Sequence, residues 1–220
     1  KTSVSSSNAY NAAPIGDFGK DSSFGDVMYA NLDPDKPGRL RDYRIMAAYS
    51  EVSDALDEIC DEVVNVDDNG DVARILFDNI DLSVDEKGEI DKEFSKFTDY
   101  FDLKNKGWTF FRQLLVEGEV FFELIVHENY TKEGILGLIN VPSELIEPVY
   151  NNIQNMLVKG FIYKKPIFSV TNPAKVEKTE MIPMEENQIV YVNSGVYNET
   201  KNFLIPFLEN ARRPYRQLSL

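Results

Sequence analysis

The 220 residues and 25.1 kDa suffice for one sizeable domain or two small ones, and a hydrophobic fraction of 43% fills a real core, which argues against wholesale disorder. No apolar run approaches the roughly 18 to 20 residues needed to cross a bilayer, and the richest, Val120 to Val126, is interrupted by Glu123, so a spanning helix is excluded. One cysteine, Cys60, and one histidine exclude an internal disulfide framework and a closed Cys/His zinc site, which suits a reducing compartment.

The net charge of −14 is unevenly spread. Residues 41 to 103 hold 19 acidic and 6 basic side chains, whereas residues 104 to 220 hold 13 of each sign. Such an acidic surface repels phosphate, and non-specific DNA binding needs clustered Lys and Arg instead. The acidic region reads first as a solvated, solubilising surface and second as a face for a protein partner.

The chain opens on Lys1, and its first residues, KTSVSSSNAYNAAP, have neither the apolar stretch of a secretion signal nor the arginines of a transit peptide. It reads as a processed or truncated piece. Residues 1–38 are rich in Ser, Asn, Gly, Asp and Pro, with scattered apolar anchors such as Phe18, Phe24 and Tyr29, and are expected to form an extended arm along a neighbouring surface.

From Asp42 the apolar residues Ile45, Ala48, Val52, Leu56, Ile59 and Val63 recur at spacings of three and four, which predicts one amphipathic helix. Its polar surface carries Glu51, Asp54, Asp57, Glu58, Asp61 and Glu62, the candidate acidic partner face, and Cys60 is a small helical side chain rather than a nucleophile. Residues 72–84 are expected to be extended, with a turn at Asp85 to Gly88. Ile90, Phe94, Phe97 and Phe101 then predict a second helix, and Trp108, Phe111, Leu114 and Leu115 a third, with the aromatics serving as core.

Beyond Gly118 short β segments alternate with Asn, Gly and Pro punctuation: EVFFELIVHE, GILGLINV, ELIEPVY, LVKGFIYKK and NQIVYVNSG. Antiparallel hairpins are expected, with the clearest turns at 129–134 and 151–155. Residues 203–220 return to helical composition; Pro206 is tolerable in a first turn, and Pro214 marks the expected start of a further helix. The fold class is therefore α+β: helices in the first half, short antiparallel strands in the second, and a helical segment at the end.

Signals of chemistry are sparse. Asn65, Asp67, Asn69 and Gly70 resemble the opening of an EF-hand loop, but the first ligand is Asn and the closing position is Leu76, so the segment reads as a turn. His127 is a lone strand histidine with no nucleophile motif beside it, and acidic pairs such as Glu117 with Glu119 or Glu185 with Glu186 are unavoidable among 37 carboxylates. No P-loop, dinucleotide fingerprint or kinase signature is present. No catalytic residue, cofactor or metal is assigned, and the chain is read as a non-enzyme. Arg212, Arg213 and Arg216 form the only tight basic cluster and are candidate subunit-contact residues, bridging to carboxylates of the same unit or of an adjacent subunit.

RLRDYRIMAAYSEVSDALDEICDEVV, GWTFFRQLLVEGEVFFELIV, the pair LIEPVY and GFIYKK, PMEENQIVYVNSG and the closing LIPFLENARRPYRQLSL together resemble the head-to-tail connector, or portal, proteins of T4-like tailed bacteriophages, from about Arg39 onward. The resemblance implies a structural subunit of a dodecameric ring at the unique capsid vertex of the virion, assembled inside the bacterial host. That ring nucleates head assembly and forms the channel for DNA packaging and ejection. It implies as partners further copies of the subunit, the major capsid protein and scaffold, the large terminase subunit, the neck proteins, and double-stranded DNA passing through the channel with little direct contact from this part. It also implies a division into the arm at 1–38, a wing domain at 39–207, and a connection toward the stem at 208–220. A stand-alone acidic protein-binding module is the alternative.

Overall fold

A computed structural model describes residues 35–67, 70–78, 80–126, 134–150, 158–169, 176–197 and 204–218. Arm residues 1–34, His127 and the turns at 129–133 and 151–155 lie outside the described residues.

Helix α1 (Lys36–Ala47) starts inside the segment expected as an arm, with Pro37 in its first turn, where the missing N–H costs nothing. It buries Leu40, Tyr43, Met46 and Ala47, a stripe offset from the one read in the sequence. The helix expected to run unbroken from Asp42 to Val63 is in fact two. Tyr49 takes an extended conformation and starts α2 (Ser50–Val63), so the chain turns a corner there. Tyr215 packs edge-on against Tyr49, with ring centres 5.6 Å apart, at that corner. The bend lets both helices pack on α4 (Leu103–Glu117), and it leaves Ile45 and Val63 exposed while Leu56 and Cys60 are buried.

Residues 72–78 and 80–83 form no strand. Among the described residues no strand pairs with them, and Leu76 is 62% exposed. Asp85 to Gly88 is not a turn but the first part of helix α3 (Val84–Phe101). Ser83 and Glu86 form a reciprocal capping box: the Glu86 N–H donates to Ser83 Oγ at 3.3 Å, and the Ser83 N–H donates to Glu86 Oε2 at 2.9 Å. That gain outweighs the modest cost of Gly88 within the helix.

Helix α4 ends at Gly118, whose φ of +80° a side chain rarely adopts; a Cβ there would also lie 3.2 Å from the Pro206 backbone. Strands β1 (Glu119–Val126), β2 (Ile135–Val141), β3 (Ile146–Tyr150), β4 (Val158–Phe168), β5 (Val176–Glu185) and β6 (Ile189–Asn193) build two antiparallel sheets. Their orders are β2-β1-β6 and β3-β4-β5, with single 3₁₀ turns at Ser143–Leu145 and Glu186–Gln188. Gly160 lets β5 close in, because a Cβ there would meet the Met184 carbonyl oxygen at 2.8 Å.

Alternation along β1 divides the core. Phe121 points between the two sheets and stacks on Tyr191 at 4.8 Å, with Phe161, Ile146 and Val141 around it. Its neighbour Phe122 points the other way and receives Phe101 and Phe110 edge-on at 5.0 and 4.8 Å. A third cluster seats α1 and α2 on Val116 and Leu208. The last helix, α5 (Glu209–Leu218), begins before Pro214 rather than at it, so the proline is interior. The Asn210 carbonyl thereby loses its helical donor, and packing of Ala211 and Tyr215 against the α1 cluster holds the helix instead.

Candidate functional site

Three buried charged side chains, Lys36, Glu117 and Glu119, converge on a seam where α1 meets α4, β1 and the Ser143–Leu145 turn. Lys36 enters it from the first turn of α1, almost fully buried. Its Nζ lies 2.5 Å from Glu119 Oε1, donates to the Ile146 carbonyl at 2.7 Å and stands 5.1 Å from the centre of the Phe121 ring. Burial pushes the Glu119 carboxyl up, and the Lys36 charge and hydrogen bond pull it back. Tyr191 donates to the other Glu119 oxygen at 3.4 Å, and burial together with that carboxylate holds the Tyr191 phenol above its ordinary range. Tyr150 reaches Tyr191 at 3.4 Å between hydroxyls.

Just over two helical turns along α1, Arg44 spans two carboxylates. Its Nε donates to Glu117 at 2.8 Å, and its two terminal nitrogens hold the oxygens of Glu144 at 3.1 and 2.6 Å. The Arg44 hydrogen bonds keep the Glu144 carboxyl below its ordinary range. Ser143 donates to Glu117 at 2.6 Å and Gln113 does so at 3.0 Å, so this buried carboxylate is fully engaged. Glu117 and Glu119, weighed above as an acid pair, are thus two separately neutralised charges that tie α1 to α4 and to the first sheet. Lys164 and Glu147 make a further ion pair within the second sheet.

The structure divides the six candidates of the acidic face. Asp57 pairs with Arg112 Nε at 2.7 Å, while Arg112 also donates to the Ser53 hydroxyl at 3.0 Å. Asp61 accepts from the Trp108 indole at 2.7 Å. Glu51, Asp54, Glu58 and Glu62 remain exposed on α2. No local spacing marks this division, because the partners come from 47 and 55 residues away.

The basic cluster is split in the same way. Arg216 donates to Asp42 Oδ2 at 3.1 Å, Arg212 lies 3.8 Å from the same oxygen, and its other terminal nitrogen meets Glu209 at 3.3 Å. Arg212 also stands over the Tyr43 ring, whose hydroxyl donates to Glu209 at 2.6 Å. Arg213 is exposed. Two of the three arginines therefore meet α1 of their own chain.

Asp67 and Gly70 of the EF-hand-like segment are described, and Asp68 and Asn69 are not. The Asp67 carboxylate accepts from the Asp71 N–H at 2.9 Å and its carbonyl from the Gly70 N–H at 2.9 Å, which closes a turn, and Leu76 occupies the closing position in chain that forms no helix. Burial pushes the Cys60 thiol up, as for an inert core cysteine. Among the described residues, no group of three His, Cys, Asp or Glu side chains is placed to hold a metal ion, and no helix is long and apolar enough to cross a membrane.

Residues 37–220 match the family described as Bacteriophage T4-like portal protein (Gp20). The portal protein of Vibrio phage KVP40 is 26% identical over 195 residues, which covers 82% of this chain and 37% of that protein. The portal protein of Salmonella phage ViI is 25% identical over 198 residues, covering 81% of this chain and 35% of that protein. The chain spans just over a third of the length of these curated relatives. The matched span begins in the first turn of α1 and takes in every element of the fold, so the chain belongs to the T4-like bacteriophage portal protein family.

Proposed function

We propose that this chain forms the peripheral wing of a portal subunit, with residues 39–207 as the wing and 208–220 as the connection toward a stem. The subunit assembles into a dodecameric ring at one capsid vertex of the virion, nucleates head assembly in the host cell, and frames the channel through which DNA enters and leaves. Its partners are other copies of itself, the capsid and scaffold proteins, the terminase during packaging, and the neck proteins afterwards. The observation that carries this reading is the family match across residues 37–220. The role is structural rather than catalytic. Every strongly buried carboxylate of the seam is held by a cation or by several donors, an arrangement that fixes elements in place. The acidic character of residues 41–103 suits an outer surface that repels DNA.

Within this reading Arg212, Arg213 and Arg216 stabilise the junction between wing and stem, with Arg213 free to reach a carboxylate of the adjacent subunit. Charge reversal of all three to Glu, in the full-length polypeptide, is expected to impair ring assembly, and the triple Lys variant to retain part of it. Electron microscopy of the purified particles reads the outcome. Normal rings from the Glu variant sink the subunit-contact role, and normal rings with defective packaging move the role to DNA or motor contact.

A further inference from the structure

The sequence of helix α5 opposes the conformation it adopts. Its 10 residues fall short of the roughly 12 to 15 below which isolated helices are marginal in water, and Pro214 in the interior removes one bond from the ladder. Arg212 and Arg216 stand four residues apart on one face, a spacing at which like charges destabilise a helix.

Docking on α1 reverses that last effect. Asp42, midway along α1, accepts from Arg216 at 3.1 Å and lies 3.8 Å from Arg212, so one carboxylate faces both guanidiniums. The adjoining Tyr43, almost fully buried, donates to Glu209 in the first turn of α5 at 2.6 Å and carries Arg212 over its ring. Tyr215 packs edge-on against Tyr49 at the end of α1. The repulsion that disfavours the free helix thus becomes a two-pronged clamp on α1, which couples helix formation to docking. The clamp is reached by solvent, with the Asp42 side chain 42% and that of Arg216 59% exposed. The chain just before α5 is held differently: Pro206 is buried against Gly118, Leu208 lies in the apolar cluster with Leu56 and Val116, and Ser194 Oγ donates to the Ile205 carbonyl at 3.0 Å. A firm anchor therefore adjoins a polar, exposed contact at Glu209.

We propose that α5 is an ionic latch: it is helical only while docked on α1, Asp42 is the residue that positions it, and it opens as a unit while the rest of the fold stays closed. On the reading of residues 208–220 as the connection toward a stem, the latch sets the direction in which the chain leaves the wing. The test is amide hydrogen exchange read by NMR on the 220-residue chain, comparing protection factors of Tyr215 and Gln217 in α5 with those of Leu114 and Val116 in α4. Asp42→Ala raises the intrinsic helix propensity of α1, so it does not weaken that helix by itself. It is expected to lower α5 protection about fivefold and to leave α4 unchanged. Arg216→Gln alone is expected to lower α5 protection, but added to Asp42→Ala it is expected to raise it, by up to about twofold, because it removes a repulsion that no carboxylate then opposes. Sodium chloride at 1 M, where the screening length is about 3 Å, is expected to speed α5 exchange in the wild type and much less in Asp42→Ala. The proposal is overturned by α5 amides that are unprotected in the wild type, or unchanged in Asp42→Ala, or lost only together with those of α4. It is equally overturned if Arg216→Gln lowers protection in both backgrounds, or if salt acts alike on both proteins. The exchange measurement involves no ring, so its failure sinks the latch and leaves the wing reading standing, whereas a protected latch in a full-length polypeptide that forms no ring sinks that reading alone.

Discussion

Arg44 joins a carboxylate of α4 to one in the turn before β3, 73 and 100 residues away, and so fixes α1 on both layers at once. Arg44→Met leaves Glu117 with its Ser143 and Gln113 donors but strips its cation, and removes both bonds to Glu144. A loss of about 1–3 kcal/mol is expected, read by denaturant unfolding at pH 7. The effect has a definite pH dependence. Arg44 holds the Glu144 carboxyl below its unfolded value, so that contribution is present above about pH 4.3 and is lost as pH falls through the lowered folded value. The stability gap between wild type and Arg44→Met is expected to narrow on acidification through that window; a gap that stays constant to pH 3 contradicts the assignment. None of these partners was legible in the sequence, since no local spacing links residue 44 to 117 or 144. The same holds for Lys36, which lies in a segment whose composition suggested an arm. The arginines of α5 were visible as a cluster, but their common partner Asp42 was not.

At the scale of elements, α3 and α4 and all the strands but one were legible, because their apolar residues repeat with the right period between Gly, Asn and Pro signals. β5 was missed because it is an edge strand exposed over most of its length, and it carries Pro183, so it shows no inward-outward alternation. The break between α1 and α2 was missed because the residues on either side keep helical spacing; Tyr49 and its contact with Tyr215 impose the corner from outside. The start of α3 was there to be read in Ser83 and Glu86, a capping box three residues apart that the acidic run disguised as a turn. Ser83→Ala is expected to cost about 1 kcal/mol, a melting shift of roughly 2–4 °C in a chain of this size. Ser83→Asp, which keeps a capping oxygen, is expected to recover most of it. An unchanged melting temperature in Ser83→Ala would show that packing of Phe101 alone holds the helix.

At the scale of the whole molecule, the described residues form a set of helices and two small sheets locked by a buried ionic seam, with an acidic outer helix. Such a unit has the makings of a scaffold whose remaining surfaces are completed by neighbours. Cut free, it is expected to remain folded and predominantly monomeric at micromolar concentration, because one small interface per neighbour binds weakly. Light scattering that finds a closed ring from these residues alone would contradict that. The central claim, that this unit is the outer wing of a portal ring, is tested most directly by electron cryo-microscopy of the full-length polypeptide. The expected map is a closed ring with a central channel in which the α+β unit described here lies at the outer radius and chain beyond residue 220 lines the channel. Particles without a ring at high concentration, or a ring whose channel is lined by α2 and its exposed carboxylates, would contradict it.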